Sequence, residues 1–274
     1  MDLKIGSDYE LADYIEEKIV NENYSPDAVV GELSLPENQG KFKTTICTKT
    51  VYNYIDKGIF LCLTNKDLPV KNDSKRSYNK VKKTQKKAQA GESITHRPGE
   101  IDKREEFGHW EMDSVMGKQG ESEQCLVVLT ERKTREELIF KTLDHTASSV
   151  VEVLNSLEKE WGNHFSKLFK TITVDNGTEF SDCAGMEQSC LDPNRKRTKM
   201  YYCHPYSSWE RGSNENLNKM IRRWIPKGTN FDAITVEEVV NIQEWMNQYP
   251  RRLFGYRSAA EMFDQELKKL LDAA

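Results

Sequence analysis

The spacing of hydrophobic and polar positions changes near residue 105, and the two parts of the chain predict different elements. In the first part, ELADYIEEKIVNEN (10–23) carries its apolar residues on one helical face. SPDAVVGEL begins with Ser25 and Pro26, a capping side chain followed by a proline at the first helical position. TKTVYNYIDKG (48–58) ends at a glycine, and Thr48 is expected to cap it. This pattern predicts a small all-α region, consistent with a helix-turn-helix module.

After residue 105 the pattern predicts strands alternating with amphipathic helices. Strands are expected in GHWEMDSVMG, CLVVLTERKT, REELIFKTLD, FKTITVDNG and KMYYCHPYS. Helices are expected in ASSVVEVLNSLEKEWG, SNENLNKMIRRWIP, TVEEVVNIQEWMNQYP and SAAEMFDQELKKLLDAA. The order of these elements predicts a mixed sheet covered by helices, an α/β or α+β core.

The composition limits the class of protein. Of the 274 residues, 37% are hydrophobic and 31% charged, as in one or two soluble globular domains. No apolar run approaches the roughly eighteen residues of a membrane span, and the N-terminal MDLKIGSDYE lacks the layout of a signal peptide. The six cysteines form no CxxC pair, which disfavours a disulfide framework or a structural zinc site. These features predict a cytoplasmic protein with no membrane partner.

Positive charge is concentrated in two blocks, although the net charge is -4. Residues 71–104 hold eleven Lys or Arg against four Asp or Glu, and residues 195–227 hold nine against two, a net of +7 each. Such blocks in an acidic chain predict a local contact with a polyanion. Residues 71–104 also lack apolar periodicity and are predicted to be a linker. It is either a solvated tether or a strap that follows DNA phosphates through Lys82, Lys83, Lys86 and Lys87.

The helix predicted at 48–58 is a candidate for reading DNA. It would offer Lys49, Asn53 and Lys57 to a groove or to phosphates. The alternative is a small helical subdomain with no DNA contact.

Two aspartates lie at strand positions that suit chemistry. Asp113 lies within the apolar strand WEMDSVM, on the face opposite Trp110 and Met112. The alternative is a solvent-facing acid on an exposed face. Asp175 ends the strand TITV, at the strand end where α/β sheets place ligand chemistry. The alternative is an ordinary Asp-Asn-Gly turn.

Glu215 is the third candidate. Its helix directs an apolar stripe to the core, formed by Leu217, Met220, Ile221 and Trp224. Glu215 lies opposite that stripe, beside Asn218 and Lys219. The alternative is an acid that stabilises the N-terminus of the helix. Three carboxylates beside basic segments are able to hold two divalent cations, because Mg²⁺ prefers oxygen ligands. No P-loop, GxGxxG, HExxH or GxSxG motif is present, and the five histidines have no metal-ligand spacing.

Several motifs carry a more specific resemblance. They are EFGHWEMDSVMG, VLTERKTRE, TVDNGTEF, YYCHPYSSWERGSNENLNKMIRRWIPKGT and NQYPRRLFGYRSAAEMF. Together they resemble the transposases of the insertion-sequence-thirty type, from about residue 8 to residue 263. The resemblance implies a ribonuclease-H-like (integrase) core with a mixed five-stranded sheet and flanking helices, preceded by a small all-α helix-turn-helix region. It divides the chain into a helical region (1–70), a basic linker (71–104), a catalytic core (105–228) and a C-terminal helical extension (229–274).

The resemblance also implies roles for individual residues. The family's DDE triad falls on Asp113, Asp175 and Glu215, which would bind two Mg²⁺ or Mn²⁺ ions. Glu111, Glu179 and Glu210 lie inside the same motifs but not at triad positions. The implied reaction is hydrolysis that frees a 3′-hydroxyl, followed by attack of that hydroxyl on target DNA. The implied partners are terminal inverted repeats, target DNA and further copies of the chain on DNA. By helical position rather than by resemblance, the helix SNENLNKMIRRWIP is expected to contact phosphate through Lys219, Arg222 and Arg223.

Two features depart from the family pattern. Thirty-nine residues separate Asp175 from Glu215, more than is typical, and the extra length is expected in the basic loop EQSCLDPNRKRTK. The family's usual additional N-terminal helix-turn-helix has no counterpart, which suggests a truncated copy, an alternative start or a form that needs help to find its DNA ends. Two alternatives therefore stay open, a non-catalytic DNA-binding regulator and a nuclease that cuts but does not join.

Overall fold

The computed structural model describes residues 3–69, 90–205 and 207–272, without the side chains of residues 208 and 213–215. The chain forms two compact units. One draws on Met1–Lys82 and Gln248–Met262, and the other on Lys83–Asn247 and Phe263–Ala274. Lys82, Lys83, Lys86 and Lys87 lie outside the described residues, so their predicted contact with DNA stays a prediction.

The first unit contains three short helices, as the spacing predicts. They are α1 (Tyr9–Glu16), which continues into a π-helical turn, α2 (Pro26–Leu33) and α3 (Thr48–Asp56). The Ser25 hydroxyl accepts a hydrogen bond from the Ala28 amide at 3.2 Å, so the expected cap of α2 is present. The cap expected for α3 is wrong by one residue. Cys47 is the N-cap residue and makes no side-chain capping bond, while the Thr48 hydroxyl donates to Asp27 at 3.4 Å.

The second unit is built on a mixed five-stranded sheet with the strand order β3-β2-β1-β4-β5. The first three strands form an antiparallel meander, and β4 and β5 run parallel to β1. The strands are β1 (His109–Met116), β2 (Cys125–Glu131), β3 (Glu137–Thr142), β4 (Thr171–Val174) and β5 (Lys199–Tyr202). The predicted α/β fold with a ribonuclease-H-like sheet is therefore confirmed.

The predicted helices of this part of the chain are present as α4 (Ala147–Trp161), α7 (Gly212–Trp224), α8 (Val236–Gln248) and α9 (Ala259–Asp272); α8 ends in the first unit and α9 begins in it. Two short helices, α5 (Phe165–Leu168) and α6 (Cys183–Glu187), lie where the sequence pattern predicts none. The α7 stripe departs from expectation at its end. Trp224 is 40% exposed and packs edge-on against Trp245 rather than into the core. Among the described residues, no helix is long and apolar enough to cross a membrane.

The core of the second unit fixes the position of β1. Trp110 is fully buried, stacks on Phe169 with ring centres 4.7 Å apart, and donates from its indole to the Leu168 carbonyl at 2.7 Å. Gly108 precedes this strand with φ +100°, and a Cβ there would lie 2.9 Å from the Lys167 carbonyl oxygen. A side chain at residue 108 would therefore push the start of β1 away from its neighbour. The alternation that buries Trp110 and Met112 directs Asp113 to the opposite face of the sheet.

The loop between α6 and β5 is anchored more firmly than an exposed basic loop would be. Arg197 is buried and lies 3.4 Å from Glu158 on α4. Glu158 also accepts hydrogen bonds from the Ser189 hydroxyl at 2.5 Å and the Cys190 amide at 2.8 Å. The residues expected to carry the extra length therefore have a buried ionic anchor.

Candidate active site

The register of the sheet brings the two predicted aspartates together. Glu111 of β1 pairs with Thr173 of the parallel strand β4. Two residues further on are Asp113, still within β1, and Asp175, the first residue after β4, so continuing the same register places these positions side by side. Their proximity thus follows from the pairing of two central strands.

One arginine joins the two carboxylates. Arg211 ends the 3₁₀ turn Ser208–Arg211, directly before α7. Its Nη1 lies 2.9 Å from Asp113 Oδ1, and its Nη2 lies 2.7 Å from Asp175 Oδ2. The planar guanidinium suits such a fork, because its two terminal nitrogens point in fixed directions. Sequence reasoning counted Arg211 only as part of a basic block and missed this contact.

The arginine and the aspartates alter each other's ionisation. Burial raises the pKa of Asp175, while Arg211 and the Gly177 amide act in the opposite direction and the nearby Asp113 adds to the rise. Burial alone would lower the pKa of Arg211, but Asp113 and Asp175 raise it above its ordinary value. The guanidinium is therefore held firmly in its charged form between two carboxyl groups.

Helix α7 contributes a third element to the site. The Asn218 amide donates to Asp113 Oδ2 at 2.9 Å. Asn218 Oδ1 is buried and has no hydrogen-bond partner among the described residues. Residue 215 lies one turn earlier on α7, but the side chain of Glu215 is outside the described part of the structure. Its predicted role stays a prediction.

The other acids of the motifs have different partners. Glu111 is fully buried and binds Arg132 at 2.5 Å. Glu179 accepts from the Ser114 hydroxyl at 2.6 Å and lies 3.0 Å from His145. Glu210 accepts from the His204 amide at 2.8 Å and lies 2.7 Å from its ring. These contacts fix strands and turns around Asp113 and Asp175.

The predicted DNA-binding residues have different surroundings. Lys49 and Asn53 are exposed on α3, and Lys57 is exposed directly after its last residue, while Val51, Tyr54 and Ile55 form the buried side of the helix. Lys219 is exposed on α7. Arg222 donates to the Met116 carbonyl at 2.8 Å and lies over the Phe231 ring, and Arg223 lies over the Trp245 ring. Arg222 therefore ties α7 to the end of β1, and the DNA contacts of all six residues stay predictions.

The donor set fits a magnesium or manganese ion. Two carboxylates already converge on a single cation, and a buried amide oxygen of Asn218 lies beside one of them. Hard divalent ions take oxygen ligands of this kind and complete their shell with water. Within the described residues, no cluster of three or more His, Cys, Asp or Glu side chains is arranged to hold a metal. The predicted third acid, Glu215, is outside that set.

The chain is similar to several known transposases. It is 36% identical over 223 residues to a probable transposase for insertion-like sequence element IS1161 of Streptococcus salivarius, covering 79% of this chain and 58% of that protein. It is 34% identical over 172 residues to the transposase for IS4351 of Bacteroides fragilis, covering 63% and 49%. It is 30% identical over 175 residues to the transposase InsI for IS30C of Escherichia coli K12, covering 64% and 43%. No protein-family model matches the chain.

The sheet order and the paired aspartates define a protein with a ribonuclease-H-like core. These relatives support the insertion-sequence-thirty (IS30) type of transposase that the motifs resemble. The matched part spans about half the length of these relatives.

Proposed function

We propose that this chain carries the catalytic core of an insertion-sequence transposase, which cuts DNA at the ends of its element and joins them to target DNA. The observation that carries the proposal is the convergence of Asp113 and Asp175 on one guanidinium in front of α7. The positively charged Arg211 side chain lies between the two aspartates that the family resemblance predicts as metal ligands. The names of the similar proteins support the same activity.

Asp113, Asp175 and Glu215 would hold the Mg²⁺ or Mn²⁺ ions, two in number. Such ions, when bound, activate a water or a 3′-hydroxyl for in-line attack and stabilise the departing oxygen. The surrounding residues set the geometry. Asn218 orients Asp113, and the Gly177 amide holds Asp175 Oδ1 at 2.8 Å. The contact of Glu179 with Ser114 ties the loop after Asp175 to β1.

DNA is the proposed partner, as terminal inverted repeats and as target. The exposed residues of α3 (Lys49, Asn53 and Lys57) would read one groove, and Lys219 and Arg223 would bind phosphates near the site. The basic segment with Lys82, Lys83, Lys86 and Lys87 would add binding that does not depend on sequence. Two element ends must be handled together, so a homo-oligomer assembled on DNA is proposed, acting at the bacterial nucleoid.

The test is a cleavage assay on a supercoiled plasmid carrying the element's terminal repeats, with Mg²⁺ or Mn²⁺. We expect Asp113→Asn, Asp175→Asn and Glu215→Gln each to abolish cleavage, because the three ligands share one metal arrangement. Glu152→Gln changes an exposed acid on α4 and is the matched control, expected to cut like the wild type.

Three outcomes separate this proposal from its alternatives. A folded wild-type chain that binds the repeats but cuts nothing would indicate a DNA-binding regulator. Cutting without joining of a precut end to target DNA would indicate a nuclease. Normal cutting by Glu215→Gln, together with loss of cutting in Glu210→Gln, would show that the third acid is assigned wrongly.

A further inference from the structure

All four oxygens of the two aspartates are already hydrogen-bonded. Arg211 binds the two that converge, one from Asp113 and one from Asp175. The outer oxygens accept from the Asn218 amide at 2.9 Å and from the Gly177 backbone at 2.8 Å. A divalent ion coordinated by both aspartates would need oxygens that the guanidinium now occupies.

A divalent metal ion and the Arg211 guanidinium cannot bind the same two carboxylate oxygens at the same time. Mg²⁺ coordinates carboxylate oxygens at about 2.0–2.1 Å and requires a nearly octahedral shell. The Arg211 nitrogens lie 2.7 and 2.9 Å from the converging oxygens, inside the space that such a shell needs. Repulsion between a guanidinium and a divalent ion at this separation adds to the steric conflict.

We propose that Arg211 is a positioning residue that acts as an internal counter-ion: it holds Asp113 and Asp175 together in the metal-free chain and is displaced from at least one of them when a divalent metal binds. The inference rests on the proposed function, because it takes the aspartates as metal ligands. It assigns Arg211 two opposite effects. The side chain stabilises the fold without metal, and it weakens the binding of the metal with which it competes.

A second buried arginine shows what a purely structural role looks like. Arg197 lies 3.4 Å from one carboxylate, Glu158, and donates to the backbone carbonyls of Met186 and Gly185 and to Asn155. Both arginines are buried in the same unit, but the Arg211 fork joins two acids from two strands. Arg197→Gln is therefore a matched control for Arg211→Gln.

The experiment measures Mn²⁺ binding and unfolding temperature on the full chain. Bound Mn²⁺ is followed by the electron paramagnetic resonance signal of the free ion, and unfolding is measured in chelator and in saturating Mn²⁺. We expect Arg211→Gln to lower the unfolding temperature in chelator and to regain most of the loss with Mn²⁺. We expect it to tighten Mn²⁺ binding roughly tenfold, the scale of one charged hydrogen bond. Arg197→Gln should lower the unfolding temperature without recovery by Mn²⁺ and without a change in affinity.

Unchanged or weaker Mn²⁺ binding by folded Arg211→Gln would overturn the inference. If that variant does not fold, Arg211→Lys decides, because lysine keeps the charge but cannot form the fork. An Mn²⁺ affinity above the wild-type value supports displacement, and the wild-type value or a lower one contradicts it.

The two proposals fail in different ways. Wild-type cleavage together with an unchanged affinity in Arg211→Gln would remove only the counter-ion role. If the wild type does not bind Mn²⁺, or binds it equally well after Asp113→Asn, the proposed metal centre is wrong. The counter-ion role of Arg211 is then wrong as well.

Discussion

At the scale of single residues, the site is organised by polar side chains that touch the aspartates rather than by the aspartates alone. Asp113 is held from two sides, by Arg211 and by Asn218. Unlike the charged Arg211, which would compete with a metal, the neutral Asn218 amide would only orient Asp113 and restrict its rotamers, so its loss should weaken the proposed metal site even with all ligands present. Asn218 has the additional feature of a buried oxygen without a partner among the described residues.

We therefore expect Asn218→Ala to reduce Mn²⁺ affinity and metal-dependent cleavage by about 10–100-fold, the usual range for residues that support metal ligands. Asn155→Ala is the control, because Asn155 contacts the buried Arg197 on another part of the same unit. The control should lower stability and leave Mn²⁺ affinity unchanged. Equal Mn²⁺ affinities for Asn218→Ala and the wild type would mean that Asp113 needs no support from α7.

At the scale of elements, α4 holds the long loop before β5 through one buried carboxylate. Burial alone would raise the pKa of Glu158, but hydrogen bonds from Ser189 and Cys190 and the charge of Arg197 bring it below its usual value. A carboxyl group with a lowered pKa in the folded state stabilises the fold above the pKa of the unfolded chain. That contribution is lost as pH falls through the folded value.

We expect Glu158→Gln to lower the free energy of unfolding at pH 7 by about 3–5 kcal/mol, because it leaves the buried Arg197 without its counter-charge. The same variant should lose less further stability than the wild type between about pH 5 and pH 3, where the wild-type carboxylate is protonated. Urea unfolding at stepped pH measures both effects, with the exposed Glu152→Gln on the same helix as control. Parallel pH curves for wild type and Glu158→Gln would show that this carboxylate does not anchor the loop.

Elements of the fold could be predicted from the sequence where apolar residues recur at the spacing of a strand or a helix. The alternation in β1 placed Trp110 in the core and Asp113 on the other face, as the structure has it. The role of Arg211 could not be predicted in the same way. It depends on the parallel register between β1 and β4 and on a turn that aims one side chain across both strands, and neither is encoded in local spacing. The cap of α3 and the exposure of Trp224 were missed because tertiary packing decided them.

At the scale of the whole molecule, the two compact units divide the proposed tasks. The predicted reading helix α3 lies in the first unit, and the aspartates with Arg211 lie in the second. Base contacts specify a DNA site, phosphate contacts position the protein, and the proposed metal site would act on whichever phosphate is presented. Variants in the two units should therefore have separable effects on specificity and on chemistry.

We expect the triple change Lys49→Ala, Asn53→Ala and Lys57→Ala to remove any preference for terminal repeats over random duplex and to leave Mn²⁺-dependent nicking of random DNA nearly intact. These side chains are exposed and α3 keeps its buried side, so the fold should survive. Asp113→Asn should show the reverse, with the wild-type preference and no nicking.

Competition binding of a labelled repeat at fixed moderate salt measures the preference for the repeat over random duplex, because affinities depend strongly on salt. Each lost base contact is worth about 1–3 kcal/mol, so the loss of preference should be at least several-fold. A triple variant that keeps its preference would place sequence recognition elsewhere in the chain, and one that loses nicking as well would show that the two units do not act separately.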